Sequence, residues 1–172
     1  MSASLTDPVL RLAMTMRVTC TPFETVGEMG KGVRRIQHLT GGSFEIPAQK
    51  GGTFTTPAVR GAVLGGHDWQ ILHSDRLVEL DARYNLRTED GHLIYVRASG
   101  RRYASPENLQ KLMRGEPVER GPDYYGASTP IIETGAPDLL WMNHHAFIGN
   151  SRSEPGVQNL RFFVVDYGSP PT

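Results

Sequence analysis

Leu77-Val-Glu-Leu-Asp-Ala-Arg-Tyr-Asn-Leu-Arg87 and His92-Leu-Ile-Tyr-Val-Arg-Ala-Ser-Gly100 alternate in polarity on either side of the turn Glu89-Asp-Gly91. A three-residue hairpin loop with Gly91 left-handed sets Leu86 opposite Ile94, Tyr84 opposite Val96 and Ala82 opposite Ala98. One face of the pair is then wholly apolar or aromatic. The other carries Asp81, Arg83, Asn85, Tyr95, Arg97 and Ser99, and a slip of one residue would mix the two sets, so burial of either face specifies the register.

Outward from this hairpin, 19 Gly and 12 Pro lie in short clusters, and turn signals recur often enough to suit an all-β sandwich or barrel. Leu10 to Val18 alternates as a first strand and Val33 to Leu39 as a second. Val59 to Leu64 and Asp68 to His73 read as strands separated by a Gly65-Gly66 break. Tyr124 to Thr134, Leu139 to Ile148 and Asn159 to Tyr167 bring the total to about eight or nine, enough to close a small barrel. One short helix is expected near 105–114, with Ser105 as N-cap, Pro106 at its first position and a buried stripe of Leu109, Leu112 and Met113. Gly115 and Pro117 would end it. Gly41-Gly-Ser-Phe-Glu-Ile-Pro-Ala48 and Gly51-Gly-Thr-Phe-Thr-Thr-Pro-Ala58 share one pattern, which reads as a duplicated or inserted loop segment. At 172 residues the expectation is a single β-barrel domain with its core over about 10–167.

Lys plus Arg and Asp plus Glu each total 18, so there is no basic surplus to neutralise nucleic acid or an anionic membrane. A single cysteine, Cys20, has no internal partner. The start Met1-Ser-Ala-Ser-Leu-Thr-Asp7 has no signal-peptide pattern, and no apolar run approaches the ~20 residues of a membrane span. These features lead us to expect a soluble cytoplasmic protein whose partner is a small molecule. The histidines show no metal-ligand spacing, and Gly27-Glu-Met-Gly-Lys-Gly32 lacks the Ser or Thr that completes a phosphate loop. No Gly-x-Ser-x-Gly elbow occurs either. Neither a metal nor an organic cofactor is expected.

Gly32-x-x-Arg35-Ile36, Arg60-Gly61, Gly65-Gly66-x-Asp68-Trp69-Gln70, Leu80-Asp-Ala-Arg-Tyr84, Asp90-Gly91, Trp141-x-Asn143 and Ile148-Gly149 together resemble the domain-of-unknown-function family numbered 3237. The resemblance runs from about Leu10 to Tyr167. It implies an antiparallel lipocalin-like β-barrel and no settled activity; fungal members sit among secondary-metabolism enzymes, which points to an aromatic or polyketide-like ligand. Two departures are visible: Leu64 stands where Pro is usual, and an extra loop of about ten residues around Ile46 to Gly52 would reshape a cavity mouth.

Candidate chemistry centres on Asp68, a carboxylate that apolar walls or the Trp69 indole could make an acid or base near neutral pH; alternatively it caps the Gly-Gly turn. Arg83 and Arg97 face each other across the hairpin with Tyr95 diagonal. If their face is solvated they need no partner; if it lines the lumen, as the resemblance implies, they need an anion. Trp141, Asn143, His145 and Phe147 share one face if Leu139 to Ile148 is a strand, and His145 is then the second acid–base candidate. Arg60, Gln70, Arg97, Trp141 and Asn143 are the expected substrate-binding residues, and Asp68, Arg83, His145 and Tyr95 the expected catalytic ones. The leading expectation is a cofactor-independent isomerase, cyclase or lyase acting on an enolisable or phenolic metabolite. The alternative is a non-catalytic barrel that carries or senses an aromatic acid. The apolar hairpin face also leaves a homodimer open.

Overall fold

The alternation of the central hairpin is resolved by burying its apolar face. Leu86 pairs with Ile94, Tyr84 with Val96 and Ala82 with Ala98, and Leu86, Ile94 and Val96 are completely enclosed. The face therefore belongs to the protein's interior and is not presented to a second copy.

A computed structural model describes residues 7–74, 76–114, 116, 118–119 and 121–167. In chain order the elements are β1 (Val9–Cys20), β2 (Glu24–Met29), β3 (Gly32–Ile46), β4 (Val59–Leu72), β5 (Leu77–Thr88), β6 (Leu93–Ala104), α1 (Pro106–Met113), β7 (Tyr124–Thr134), a 3-10 helix (Pro137–His144), β8 (Phe147–Glu154) and β9 (Val157–Asp166). Eight strands form a closed antiparallel barrel in the order β1-β9-β8-β7-β6-β5-β4-β3, sealed by pairing of β1 with β3; β2 is an extra strand folded back on the outer flank of β3. Closure removes the sheet edges that an open sheet would expose. No helix among the described residues is long and apolar enough to cross a membrane.

The interior is divided. At one end Phe44, Ile46, Leu86, Ile94, Ile132 and Phe147 fill the barrel, and Leu139 and Met142 from the 3-10 helix close it together with Phe54. Each such buried side chain contributes roughly 1.5–3 kcal/mol over exposure. At the other end, where β3 begins and β4 and β6 finish, the inward positions are polar. There α1 starts as expected, its N-cap Ser105 Oγ accepting from the Asn108 N–H at 3.2 Å. The expected stop at Gly115 and Pro117 and the Met113 side chain lie outside the described residues, as does the N-terminal stretch Met1 to Thr6.

Several expected elements differ from those observed. The Gly65-Gly66 break does not divide two strands: β4 runs unbroken from Val59 to Leu72 and absorbs the glycines as a bulge. Leu139 to Ile148 is not one strand, because Pro137 opens a 3-10 helix whose Leu139 and Met142 turn inward three residues apart, and β8 starts only at Phe147. β2 and the β8–β9 turn at Gly156 were not foreseen. Of the two Gly-Gly-x-Phe segments, the first lies within β3 and the second in the loop before β4, yet Phe44 and Phe54 are both buried. That loop closes the filled end and shapes no polar mouth.

The bulge determines which residues enter the lumen. Leu64 is an extra residue on β4 against β5, and Thr40 is an extra residue on β3 against β1; because the two lie side by side, β3 and β4 keep their mutual register. Below the bulge Phe44, Ile46 and Val63 point inward; above it Leu39, Gln37, Arg35, Gly66, Asp68 and Gln70 take over. With unbroken alternation from Val63, His67 and Trp69 would face inward instead. Gly65 holds the bulge at φ 113°, and a Cβ there would sit 2.8 Å from the Leu39 carbonyl oxygen. We expect Gly65→Ala to lower unfolding free energy by about 1–3 kcal/mol in equilibrium urea titration. Gly135→Ala, whose Cβ would meet nothing within 4 Å, is the near-neutral comparison. Equal stabilities for the two variants would show that the bulge does not need its glycine.

Candidate functional site

Above the bulge, β3 and β4 place Gln37 opposite Asp68 and Arg35 opposite Gln70. Across the lumen, β6 continues its inward row Ile94, Val96, Ala98 and Gly100 to Arg102, and β5 contributes Leu80, Ala82 and Tyr84. These side chains, with Ser128, Gln158 and Leu160 from β7 and β9, enclose a cavity of about 80 Å³.

A hydrogen-bonded relay fixes the carboxylate. Arg35 donates from Nε (3.0 Å) and Nη2 (2.7 Å) to Gln70 Oε1, and Gln70 Nε2 donates to Asp68 Oδ2 at 2.6 Å. Only this orientation of the amide works, since a guanidinium can only donate and a carboxylate can only accept. The backbone N–H of Asp81 reaches Asp68 Oδ1 at 3.2 Å. Arg35 is held from behind by the Phe23 ring, 3.9 Å from its guanidinium carbon.

Burial is the largest influence on four ionisable groups here. It raises Asp68 above the ordinary carboxylate range, against the opposing pull of the Gln70 hydrogen bond, the Arg102 charge, the Asp81 N–H and the Arg35 charge. Burial, reinforced by repulsion from Arg102 and opposed by Asp68, brings Arg35 down to about 10. Tyr84 is pushed up by burial and then by the Asp68 charge, and Cys20 is raised to about 11 by the same two causes in the same order. Arg102 differs from Arg35 in one respect. It is only 7% exposed, lines the cavity, and among the described residues has no hydrogen-bond acceptor or ion pair of its own. Its guanidinium nitrogens are not sealed from solvent, and a guanidinium on a cavity wall is able to donate to an anionic oxygen.

Of the residues the sequence pointed to, Asp68 and Gln70 meet in the lumen. Asp68 does not cap a turn. Arg83, Arg97 and Tyr95 lie on the outer face of the hairpin because its apolar face took the interior; Arg83 is half exposed and pairs with Asp81 at 3.6 Å. Arg60 is also outside, 3.1 Å from Glu45. Trp141, Asn143 and His145 are at the filled end. Trp141 stacks on Phe54 at 3.9 Å, Asn143 bonds the Thr134 N–H and carbonyl, each at 2.9 Å, and His145 lies between the Trp141 carbonyl (2.7 Å) and Thr53 Oγ1 (3.0 Å). His145 thus belongs to a structural cluster that Thr53 extends to Asp166 and Arg11. Arg35, Gln37 and Arg102 were missed. Arg102 had a legible signal, since it falls on the apolar parity of its strand; Arg35 and Gln37 share the parity of buried Leu39.

The sequence matches, over residues 8–167, the family described as protein of unknown function (DUF3237). A UPF0311 protein of Rhodopseudomonas palustris strain TIE-1 is 39% identical over 128 residues, 74% of this chain and 76% of that one. A solved structure of a conserved protein of unknown function from Rhodopseudomonas palustris superposes with TM-score 0.79 at 30% identity, covering 92% of this chain and 97% of its own. A more distant structure, described as an enzyme from Penicillium herquei, has TM-score 0.64 at 19% identity over 96% and 99% of the two chains, a likeness of fold.

The raised Asp68 carboxyl makes stability depend on pH. Between the unfolded value of ~3.9 and the higher folded one, the native state binds more protons than the unfolded state, so stability falls as pH rises and then levels off. Asp68→Asn lacks this group. We expect the stability of wild type minus that of the variant, from urea titrations between pH 4 and 8, to decline as pH rises. A flat difference would mean that Asp68 is not destabilised by its surroundings.

Proposed function

This chain belongs to the DUF3237 family of proteins of unknown function, and we propose that it is a cofactor-independent acid–base enzyme, an isomerase, cyclase or lyase acting on a small enolisable or phenolic molecule held in the lumen. The observation that carries this reading is the pairing, in one cavity, of a carboxyl raised by burial with the Arg102 guanidinium, which has no acceptor among the described residues. A barrel that only stores a ligand needs fixed cations and apolar walls; a carboxyl raised above its ordinary range is suited to proton transfer.

In this mechanism Asp68 takes a proton from a carbon or hydroxyl of the substrate. The electron pair left behind moves onto an oxygen that Arg102 faces, as enolate or phenolate. The proton then returns to a different atom, or to a leaving oxygen, so that the protein ends unchanged. Arg35 and Gln70 are positioning residues that hold the carboxylate by the relay described above. Arg102 supplies the fixed charge, a preorganised contribution that commonly dominates catalysis. The Penicillium herquei fold neighbour, described as an enzyme, supports the view that such a barrel can host a reaction.

The test incubates purified protein with a panel of phenols and cyclic 1,3-diketones, without added cofactor or metal, and follows conversion and retention by mass spectrometry. Isomer or water-loss products are expected. Asp68→Asn should lower turnover by about 10²–10⁴-fold and Arg102→Met by about 10²–10³-fold, while Arg83→Ala on the outer face should leave it unchanged. Saturable retention of unchanged compounds would identify a binding barrel, and wild-type turnover by Asp68→Asn would remove it from the chemistry.

A further inference from the structure

The polar end of the barrel carries a hollow of about 530 Å³, distinct from the lumen cavity. Its size falls within the roughly 300–1,000 Å³ of small-molecule sites. Five segments meet around it. Phe23 comes from the link between β1 and β2, Val33 from β3, Leu72 from β4, Leu112 from α1 and Val157 from β9. Val33 and Leu72 are direct cross-strand partners. All five side chains are half-buried, so this end leaves apolar surface bordering a space where the filled end packs it away. Leu112 belongs to the stripe of α1 that its sequence marks for burial, and here that stripe faces the hollow.

Arg35 gives the hollow a fixed charge. It is 7% exposed and borders this space but not the lumen cavity. Its Nε and Nη2 both donate to Gln70 Oε1. Because the guanidinium is a planar, rigid fork, Nη1 then lies on the edge turned away from Gln70. Nη1 has no acceptor among the described residues, and it is not sealed from solvent. The Phe23 ring, 3.9 Å from the guanidinium carbon, covers one face of Arg35 and also borders the hollow. An uncommitted charged donor and a flat apolar surface therefore adjoin.

The other charges around the hollow are peripheral. Arg114 is exposed and engages Glu116 at 2.6 and 3.0 Å. Glu154, the one carboxylate on the wall among the described residues, is also exposed. Further in, Arg35 and Arg102 repel one another and share a single carboxyl, Asp68, which Gln70 separates from the hollow. The inner polar groups thus carry more guanidinium than carboxylate, and the surplus faces a space lined by hydrocarbon. That combination suits an anion attached to an apolar body.

We propose that the hollow at the polar end is a second ligand site, built for a small monoanion with a flat apolar body. Its carboxylate or sulfonate oxygen accepts from Arg35 Nη1, and its body lies against Phe23, Val33, Leu72, Leu112 and Val157. Arg35 is also the outer end of the relay, so occupancy of this site is felt at Asp68 through Gln70. The inference goes beyond the lumen chemistry and does not depend on it.

The test uses 8-anilinonaphthalene-1-sulfonate and uncharged N-phenyl-1-naphthylamine, which share one aromatic body and both brighten when that body leaves water. Titrated into the native protein, the sulfonate should saturate and bind about tenfold more tightly than the amine, a factor that one charge-assisted hydrogen bond can supply. Arg35→Met should bring the ratio of the two affinities close to one. A variant that loosened the fold would take up both probes, so the ratio and not the brightness is read. Glu154→Lys, at an exposed position clear of the relay, should raise the ratio about threefold. Arg102→Met, in the lumen, should leave it unchanged. Absence of saturable binding, a ratio that ignores Arg35→Met or Glu154→Lys, or one that collapses with Arg102→Met would overturn the site. The titration reads binding and not turnover, so a failed second site leaves the Asp68 assignment standing, and a failed Asp68 assignment leaves the second site standing.

Discussion

A carboxylate drawn largely out of water is costly to ionise, and the polar half of this barrel is arranged around a half-buried one, Asp68. Asp68 receives two hydrogen bonds, one from a side chain that Arg35 holds in a single orientation and one from the backbone of β5. Two guanidiniums supply charge at longer range. Even so, burial remains the largest influence on the group and keeps it above its ordinary range. Arg35 spends both of its hydrogen bonds to the relay on Gln70, so its charge steadies Asp68 without being presented to the cavity. Arg102 makes no such bond among the described residues. The division between a cation that positions and a cation that waits gives the site its chemical asymmetry.

The relay exists only because of the paired bulges at Thr40 and Leu64. One extra residue on each of two adjacent strands exchanges the inward and outward sets together, so the same two strands serve a hydrocarbon-packed end and a hydrogen-bonded end. Had only one strand bulged, Gln37 and Arg35 would no longer lie opposite Asp68 and Gln70. Leu64 at the bulge points outward at 44% exposure and leaves the turn of parity to the glycines.

The fold was readable because its evidence is local. The register of the central hairpin follows from alternation and one turn, and the cap of α1 from Ser105-Pro106. The site was less readable, for two physical reasons. A face carrying six polar residues and a face wholly apolar offered two ways of orienting the hairpin, and the apolar one went inside, as desolvation favours; this placed Arg83 and Arg97 on the surface. Period-2 reasoning also stops at a bulge: alternation puts Asp68 and Gln70 on one face of β4, but their partners on β3 depend on a register that only long-range pairing defines. The 3-10 helix at Pro137–His144 hid the role of Trp141, Asn143 and His145, because three-residue periodicity over eight residues is easily taken for a short strand.

The thin ladder between β7 and β8 is sustainable because neither strand depends on it. β7 is registered along its whole length with β6, and β8 with β9. At the filled end Phe147, Phe162 and Ile132 pack in one continuous core with residues from the opposite side of the barrel, so the two strands are held by burial where they are not held by each other. Backbone pairing can therefore be relinquished over the polar half without opening the barrel as a whole. The hydrocarbon end supplies the rigidity, and the polar end uses it to carry a half-buried carboxyl and a guanidinium that has no acceptor among the described residues.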